Sequence, residues 1–427
     1  MSIEKQVKKG VKWTTISTIV LALVAVLKVS ILTRYLDRAD FGLMALVTFV
    51  MGFMELFNDM GLTSAILHKQ DITKQQYASL YWINWLASGV MYGIVVALAP
   101  FVASFYNQEV LYDLIVLIGV NLLLSGIGRQ FKTIEQKKLQ FNIISSIDIG
   151  AACLSLVTAI LLAVKGFGVY ALVYSLLLQS FCSNLCYLFI GLKKYGLLFH
   201  FKFSDTRSFL RIGMYQVGGQ VVNYFNRDLD ILIIGKFFST DVLGLYSLAK
   251  QLVFRPVQII NPILVKVATP TLALYQSNAD ELKKNYLKLI NIVASINIPV
   301  YFGLLVFAQI VVNVFYGDGF EDAVVLVRIL SVYMMLRSLG NPIGSLVVAK
   351  GRTDLEFFWN IFTLIITPGF IFVGSLISIE WVAVAVMLSM FFLYYPSWRL
   401  LVYKLTGASF REYFVACFRL NFNFLKL

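Results

Sequence analysis

Five basic side chains, Lys28, Lys250, Arg255, Arg328 and Arg337, sit inside apolar stretches rather than in the polar segments between them. A cation at the centre of a membrane helix costs at least about 2.5 kcal/mol on insertion scales, so such residues face protein or water and often do work. The chemistry they share is attraction of an anion. Two plainer readings stand beside it: Lys28 and Arg328 can snorkel to an interface, and some of the five can pair with Glu55, Asp59 or Asp148 as structural ions. A second constellation is Gln216, Gln220, Asn223, Arg227 and Asp230, whose spacings of 4, 3, 4 and 3 put all five on one face of a helix. A polar stripe of this kind lines water, or else hydrogen-bonds to neighbouring helices. An Arg and an Asp within it favour the hydrated reading.

Other chemistry has little to build on. With only two histidines, His68 and His200, there is no cluster for a metal or a general base, and no G-x-x-x-x-G-K-[ST] phosphate loop occurs. The four cysteines, Cys153, Cys182, Cys186 and Cys417, all lie in apolar segments without a C-x-x-C spacing, so they read as packing residues. No loop is long enough to hold a catalytic domain, and no enzyme is expected. The net charge of +13 is not gathered on a soluble basic face, which argues against nucleic acid.

The elements that must position these residues follow from composition. With 59% hydrophobic and 14% charged residues in 427, too little polar surface exists to cover a water-soluble core. A bilayer is the natural solvent, and continuous apolar runs of about 20 residues call for helices rather than a barrel. About twelve crossings are expected, at 12–33, 41–58, 80–104, 111–129, 145–164, 168–192, 208–234, 241–262, 288–315, 322–348, 355–378 and 380–403. Pro256, Pro299, Pro342 and Pro368 interrupt some of these runs, as kinks that membrane helices tolerate. The basic start precedes an apolar run too long for a removable signal peptide, so the first helix is expected to remain. The tail over 406–427 alternates bases with bulky apolar residues and reads as an interfacial amphipathic helix. Of the 36 Lys and Arg residues, 26 fall in one alternating set of flanks and only Arg34, Arg38, Lys165, Arg227 and Lys236 in the other. That bias puts both termini in the cytoplasm.

A repeat organises the whole. ILTRYLDRADFGLMAL at 31–46 returns as ILIIGKFFSTDVLGLYSL at 231–248, and a constant offset of 202 carries Ile31 to Ile233, Arg34 to Lys236, Gly42 to Gly244, Leu43 to Leu245 and Leu46 to Leu248. Each copy reads as two membrane helices joined by a short turn. The chain therefore divides into six-helix lobes at 1–195 and 196–405, related by a pseudo-two-fold axis along the membrane normal, with a cavity between them.

The residues GVKWTTIS at 10–17, LTRYLDRADFGLMAL at 32–46, FNDMGLTSAIL at 57–67 and NYFNRDLDILIIGKFFSTDVLGLYSLA at 223–249 resemble the multidrug/oligosaccharidyl-lipid/polysaccharide flippase superfamily, and within it the polysaccharide-transporter branch. The resemblance implies an all-α, V-shaped membrane protein that translocates an undecaprenyl-pyrophosphate-linked oligosaccharide across a bacterial inner membrane. It implies alternating access coupled to a sodium or proton gradient, with no other cofactor, and work alongside membrane lipids, glycosyltransferases and a polysaccharide polymerase. On that footing Lys28, Arg227, Lys250, Arg255, Arg328 and Arg337 would attract the anionic head group. Gln216, Gln220 and Asn223 would meet sugar hydroxyls, and Glu55, Asp59, Asp148, Asp228 and Asp230 are the candidates for ion coupling. Two rivals are a drug/cation antiporter of the same superfamily and a non-transporting scaffold for polysaccharide assembly. The antiporter should carry an acid in its first helix, where the only charge from Trp13 to Leu32 is Lys28.

Overall fold

The computed structural model describes the backbone of residues 3–421, and their side chains apart from 3–7, 208, 211–216 and 262–267. The side chains of Lys5, Arg211, Gln216 and Lys266, all of Lys426 and the tail from 422 onward lie outside the described residues. Within them the chain is helical and contains no strand. Helices suit hydrocarbon, because a segment without water must satisfy each N–H and C=O internally and a helix does so within itself.

The helices are α1 (Ile3–Leu32), α2 (Arg38–Asn58), α3 (Leu62–His68), α4 (Lys74–Tyr106), α5 (Val110–Lys137), α6 (Phe141–Val164), α7 (Val169–Tyr195), α8 (Phe203–Phe237), α9 (Thr240–Leu274), α10 (Ala279–Val306), α11 (Ala308–Tyr316), α12 (Ala323–Leu339), α13 (Asn341–Ala349) and α14 (Thr353–Ser375). Then come α15 (Ile379–Thr406), which widens to a π turn over Trp398–Tyr403, and α16 (Phe410–Phe418). Among the described residues ten helical stretches have the length and apolarity to cross a membrane, so this is a multi-pass membrane protein. The expected crossings at 208–234 and 241–262 are helical as α8 and α9 but are not among those ten. In α8 the charges of Arg227, Asp228 and Asp230 fall within one turn.

Most helices outrun the apolar windows that announce them, since hydropathy marks where hydrocarbon is and caps mark where helices end. Thr73 accepts a hydrogen bond from the Gln76 N–H in a capping box that starts α4, and Asn278 accepts from the Glu281 N–H at the start of α10. Similarly α5 runs on to Lys137, so that Arg129, Lys132 and Lys137, expected in a loop, ride on its last turns. Helices α9, α10 and α14 continue through Pro256, Pro299 and Pro368, while Pro342 opens α13 after a break at Gly340.

Two compact units form, Met1–Tyr224 with Ser239–Gly244, and Phe225–Phe238 with Leu245–Leu427. Helix α7 ends at Tyr195, and the N-terminal part of α8 groups with the first unit. In that unit α5 packs between α4 and α7, and α1 packs on α6. Tyr81, Phe131, Ile134 and Tyr187 form a buried cluster there. Asp40 ties two helix starts together, accepting from the Val169 N–H at 3.1 Å and from the Asp37 N–H at 3.2 Å.

The repeat shows in the same unit. Helices α2 and α9 begin at Arg38 and Thr240, the offset of 202 read from the sequence, and their first turns meet reciprocally. A Cβ on Gly42 would lie 1.9 Å from the Thr240 carbonyl oxygen, and one on Gly244 would lie 1.8 Å from that of Arg38. Only glycine permits this backbone approach.

In the second unit α10, α12, α14 and α15 pack together, and α16 seats Tyr413 and Cys417 in a cluster with Tyr286, Ile290, Trp398 and Leu401. Burial pushes the Cys417 thiol up to about 11, as suits a packing residue. Cys153 and Cys186, by contrast, are exposed on α6 and α7. The tail helix is held at its start by Lys283, whose ammonium lies 2.8 Å from Glu412. That hydrogen bond, with those from Ser409, lowers the Glu412 carboxyl to about 2.

Two outcomes follow from this packing. Gly42→Ala and Gly244→Ala should each lose roughly 1–3 kcal/mol by overpacking, seen as a lower Tm in detergent. Gly218→Ala, where a Cβ meets open space, should melt at or above the unaltered protein; equal melting of all three would remove the close-approach argument. Because the folded Glu412 carboxyl titrates below its ordinary value, its contribution to docking α16 is fully present above about pH 4.5 and is lost as pH falls toward 2. Amide exchange over 410–418, corrected for intrinsic rate, should accelerate across that window, and Glu412→Gln should abolish the trend.

Candidate functional site

Lys250 on α9 is 8% exposed, and an ammonium so placed needs every donor used. It donates to Asp230 Oδ1 at 2.7 Å, to Asp228 Oδ1 at 3.2 Å and to the Arg227 carbonyl oxygen at 2.7 Å. Both carboxylates come from α8. The Tyr246 hydroxyl donates to Asp230 Oδ2 at 2.7 Å, and Arg227 Nε donates to Asp228 Oδ2 at 2.7 Å. Helical spacing aligns the α9 contributions, since Tyr246, Lys250 and Phe254 are four residues apart. The Phe254 ring has two cations near it, with Lys250 Nζ and the Arg337 guanidinium each 5.5 Å from its centre. One turn before Arg337 on α12, Tyr333 accepts a hydrogen bond from its guanidinium through the hydroxyl oxygen.

Three bases against two carboxylates leave the cluster with one net positive charge. Lys250 is saturated and buried, whereas the Arg227 side chain is 53% exposed. Arg227 is therefore the base through which the cluster can meet an incoming anion, and a guanidinium can do so bidentately. A small cleft opens beside it, lined among others by Asn226, Arg227, Asp230, Tyr333, Thr367 and Pro368. Asn226 Nδ2 donates to the Asn360 carbonyl oxygen at 2.8 Å, while its buried Oδ1 has no hydrogen-bond partner. Pro368 has no N–H, which leaves the carbonyl of Leu364 without its helical donor. The buried Asn226 Oδ1 is an acceptor that suits a hydrogen-bond donor or a small hard cation.

The other residues picked from the sequence are distributed as follows. Lys28, half-buried on α1 in the first unit, donates to Ser155 Oγ at 2.9 Å and Ser175 Oγ at 2.7 Å. Asp148 accepts from Lys132 at 2.8 Å and from the Tyr187 hydroxyl at 2.8 Å, the structural ion pair weighed as an alternative, though with a base from outside the intramembrane set. Asp59 accepts from Thr63 at 2.5 Å and lies 3.8 Å from Arg129, and Glu55 accepts from Asn121 at 3.0 Å. Gln220 and Asn223 are exposed on α8, and the side chain of Gln216 lies outside the described residues. Arg255 is half-buried on α9 and Arg328 exposed on α12, and neither joins the hydrogen bonds of the Lys250 cluster. Of the polar stripe, Asp230 turns inward to Lys250 while Arg227 stays outward.

Sequence reasoning passed over Tyr246, Phe254, Tyr333 and Asn226. The first three carried a signal, a ring four residues from Lys250 or Arg337 on the same helix face. Asn226 carried none.

Residues 31–325 match the family described as polysaccharide biosynthesis protein. The chain is similar to the teichuronic acid biosynthesis protein TuaB of Bacillus subtilis, with 30% identity over 89% of this chain and 80% of that one. It is similar also to the lipopolysaccharide biosynthesis protein WzxC of Escherichia coli, with 28% identity over 97% of this chain and 85% of that one. In fold it is similar to the lipid II flippase MurJ in an inward closed conformation, with a TM-score of 0.76 at 11% identity, over 95% of this chain and 90% of that one.

Because a buried charge costs most when its partner alone is removed, Lys250→Met should be strongly destabilising, by roughly 3–5 kcal/mol. Adding Asp230→Asn to Lys250→Met should restore about 1–3 kcal/mol of that loss. Thermal melts of the two single variants and the double variant measure the coupling; additive losses would mean that the cluster is not one unit.

Proposed function

Since the chain belongs to the polysaccharide biosynthesis protein family, we propose that it is a flippase that carries an undecaprenyl-pyrophosphate-linked oligosaccharide across the bacterial inner membrane by alternating access. The observation that carries the reading is Arg227, an exposed guanidinium backed by a buried cluster of paired charges that keeps one net positive charge. A pyrophosphate head group is the anion such a site would favour, because two negative phosphates lose hydration on entering and need fixed positive charge to offset that cost. Gln220 and Asn223, exposed on the preceding turns of α8, are suited to sugar hydroxyls, and Gln216 is proposed for the same role. Arg255, Arg328 and Arg337 add positive potential in the second unit, and Lys28 adds it in the first.

A gradient of sodium or protons supplies the drive, with Asp230 and the unpartnered Oδ1 of Asn226 the places where a cation would act. Asp228 contributes charge beside them, and Glu55, Asp59 and Asp148 remain candidates in the first unit. Counting α8 and α9 as crossings gives twelve, and the 26-to-5 bias of bases supports cytoplasmic termini. Glycosyltransferases that build the oligosaccharide and a polymerase that consumes it are the partners this reading requires.

The test is a leaflet-exposure assay on vesicles holding the purified protein and an undecaprenyl-pyrophosphate-linked oligosaccharide. Head groups should become accessible from the far leaflet within the assay, and ionophores that collapse the gradient should slow this. Arg227→Gln should reduce the rate at least about tenfold, the equivalent of one lost charge-assisted contact, without lowering the melting temperature by more than about a degree. No translocation by the unaltered protein would sink the flippase reading, and full activity of Arg227→Gln would sink the role given to that base.

A further inference from the structure

The connector between α7 and α8, residues 196–202, has no regular secondary structure and reads GLLFHFK. One side of it is fastened to the first unit. Trp82 Nε1 donates to the Leu198 carbonyl oxygen at 3.1 Å, and the Lys202 N–H donates to Ser79 Oγ at 3.0 Å. The Ser79 hydroxyl in turn donates to Asp205 Oδ2 at 3.1 Å, the same oxygen that lies 3.1 Å from His200 Nε2. With His200 drawn inward, alternation along an extended chain turns its neighbours out. Phe199, Phe201 and, at the first residue of α8, Phe203 are 95%, 50% and 60% exposed. The Phe199 ring stacks on Trp82, 5.4 Å between centres, which sets its direction without covering it. Lys193, Lys202 and Arg207, close to the three rings in the chain, are exposed as well.

Two constraints decide what covers these rings. Irregular backbone does not enter hydrocarbon, where its N–H and C=O groups would lack partners. Three phenylalanines held outward into water would leave a contiguous apolar patch unburied. Both conditions are met where head groups give way to acyl chains: the backbone stays among water and head groups while the rings reach past them. The connector is at such a boundary by construction, because it begins where the membrane helix α7 ends at Tyr195. The bases then select the head group, since Lys and Arg at a membrane surface favour anionic lipid.

We propose that residues 196–203 are an interfacial anchor that binds anionic lipid, with Phe199, Phe201 and Phe203 in the acyl boundary and Lys193, Lys202 and Arg207 on lipid phosphates. The anchor is independent of what the protein transports. Fastening by Ser79, Trp82 and Asp205 holds the rings outward, so the segment is a built surface rather than a slack loop.

The test uses the full chain in vesicles of equal parts phosphatidylglycerol and phosphatidylcholine, with the exposed Cys153 and Cys186 and the half-buried Cys182 replaced by Ser. Spin labels are placed singly at Phe199→Cys, Phe201→Cys and Lys202→Cys. Labels at 199 and 201 should collide with dissolved oxygen more than with a water-soluble nickel chelate, and the label at 202 the reverse. If all three are equally open to the chelate, the rings are not in the membrane and the anchor is refuted. In a second arm, spin-labelled phosphatidylglycerol and phosphatidylcholine compete for the protein surface. The unaltered chain should prefer the former, and a variant with Lys193→Gln, Lys202→Gln and Arg207→Gln should lose at least about fivefold of that preference, the contribution of one surface base. An unchanged preference refutes the head-group assignment even where the depth measurement holds.

Discussion

A charge carried into hydrocarbon must be met there, by an opposite charge or by hydroxyls, and this requirement sets the internal arrangement of both units. Lys250 is met by Asp228 and Asp230, with the Arg227 carbonyl taking its third proton. Lys28 is met by Ser155 and Ser175. An unpartnered lysine at mid-helix costs about 2.5–3.5 kcal/mol on insertion scales, and hydrogen bonds to a charged group return about 1.5–3 kcal/mol each. Two hydroxyls are therefore enough to offset the insertion cost of Lys28. The aspartates around Lys250 go further, because they cancel its field as well as solvate it.

That difference bears on what each lysine can do. A hydroxyl-solvated cation keeps its full charge for anything that approaches, whereas a cation neutralised by two carboxylates has little left over. In the Lys250 cluster the surplus belongs to Arg227 and Arg337, and of these Arg227 is the exposed one. The buried lysine thus acts through position: it fixes Asp228, and Asp228 holds Arg227 by its Nε while the arginine side chain remains half-exposed.

Much of this architecture was legible in the amino-acid sequence. Apolar runs announced most of the helices but put the starts of α2 and α9 at 41 and 241; the offset of 202 is what separates their actual starts, Arg38 and Thr240, because a glycine needed for backbone contact cannot drift. The ends of helices were less legible, since hydropathy reports solvent and not hydrogen bonding; Thr73 and Asn278 extend α4 and α10 well past their apolar windows. The short helix α3 was missed because its seven residues are too few for a periodicity to show. Of the site, the intramembrane charges could be found by composition alone. Their partners could not, because Ser155 and Ser175 lie 127 and 147 residues from Lys28 and no local spacing relates them.

The stripe on α8 shows how far a helical period can be trusted. Period alone gives Arg227 and Asp230 one face, yet they serve opposite ends of the same network, one outward and one turned to a buried lysine. Adjacent Asp228, off the stripe by period, is the residue that links them. A helix face about 100° wide accommodates both directions, so that spacing identifies which residues share a neighbourhood while charge decides which of them turn inward. An aspartate beside a buried lysine is drawn in, whereas the long arginine side chain can hold its counter-ion through one nitrogen and still reach solvent.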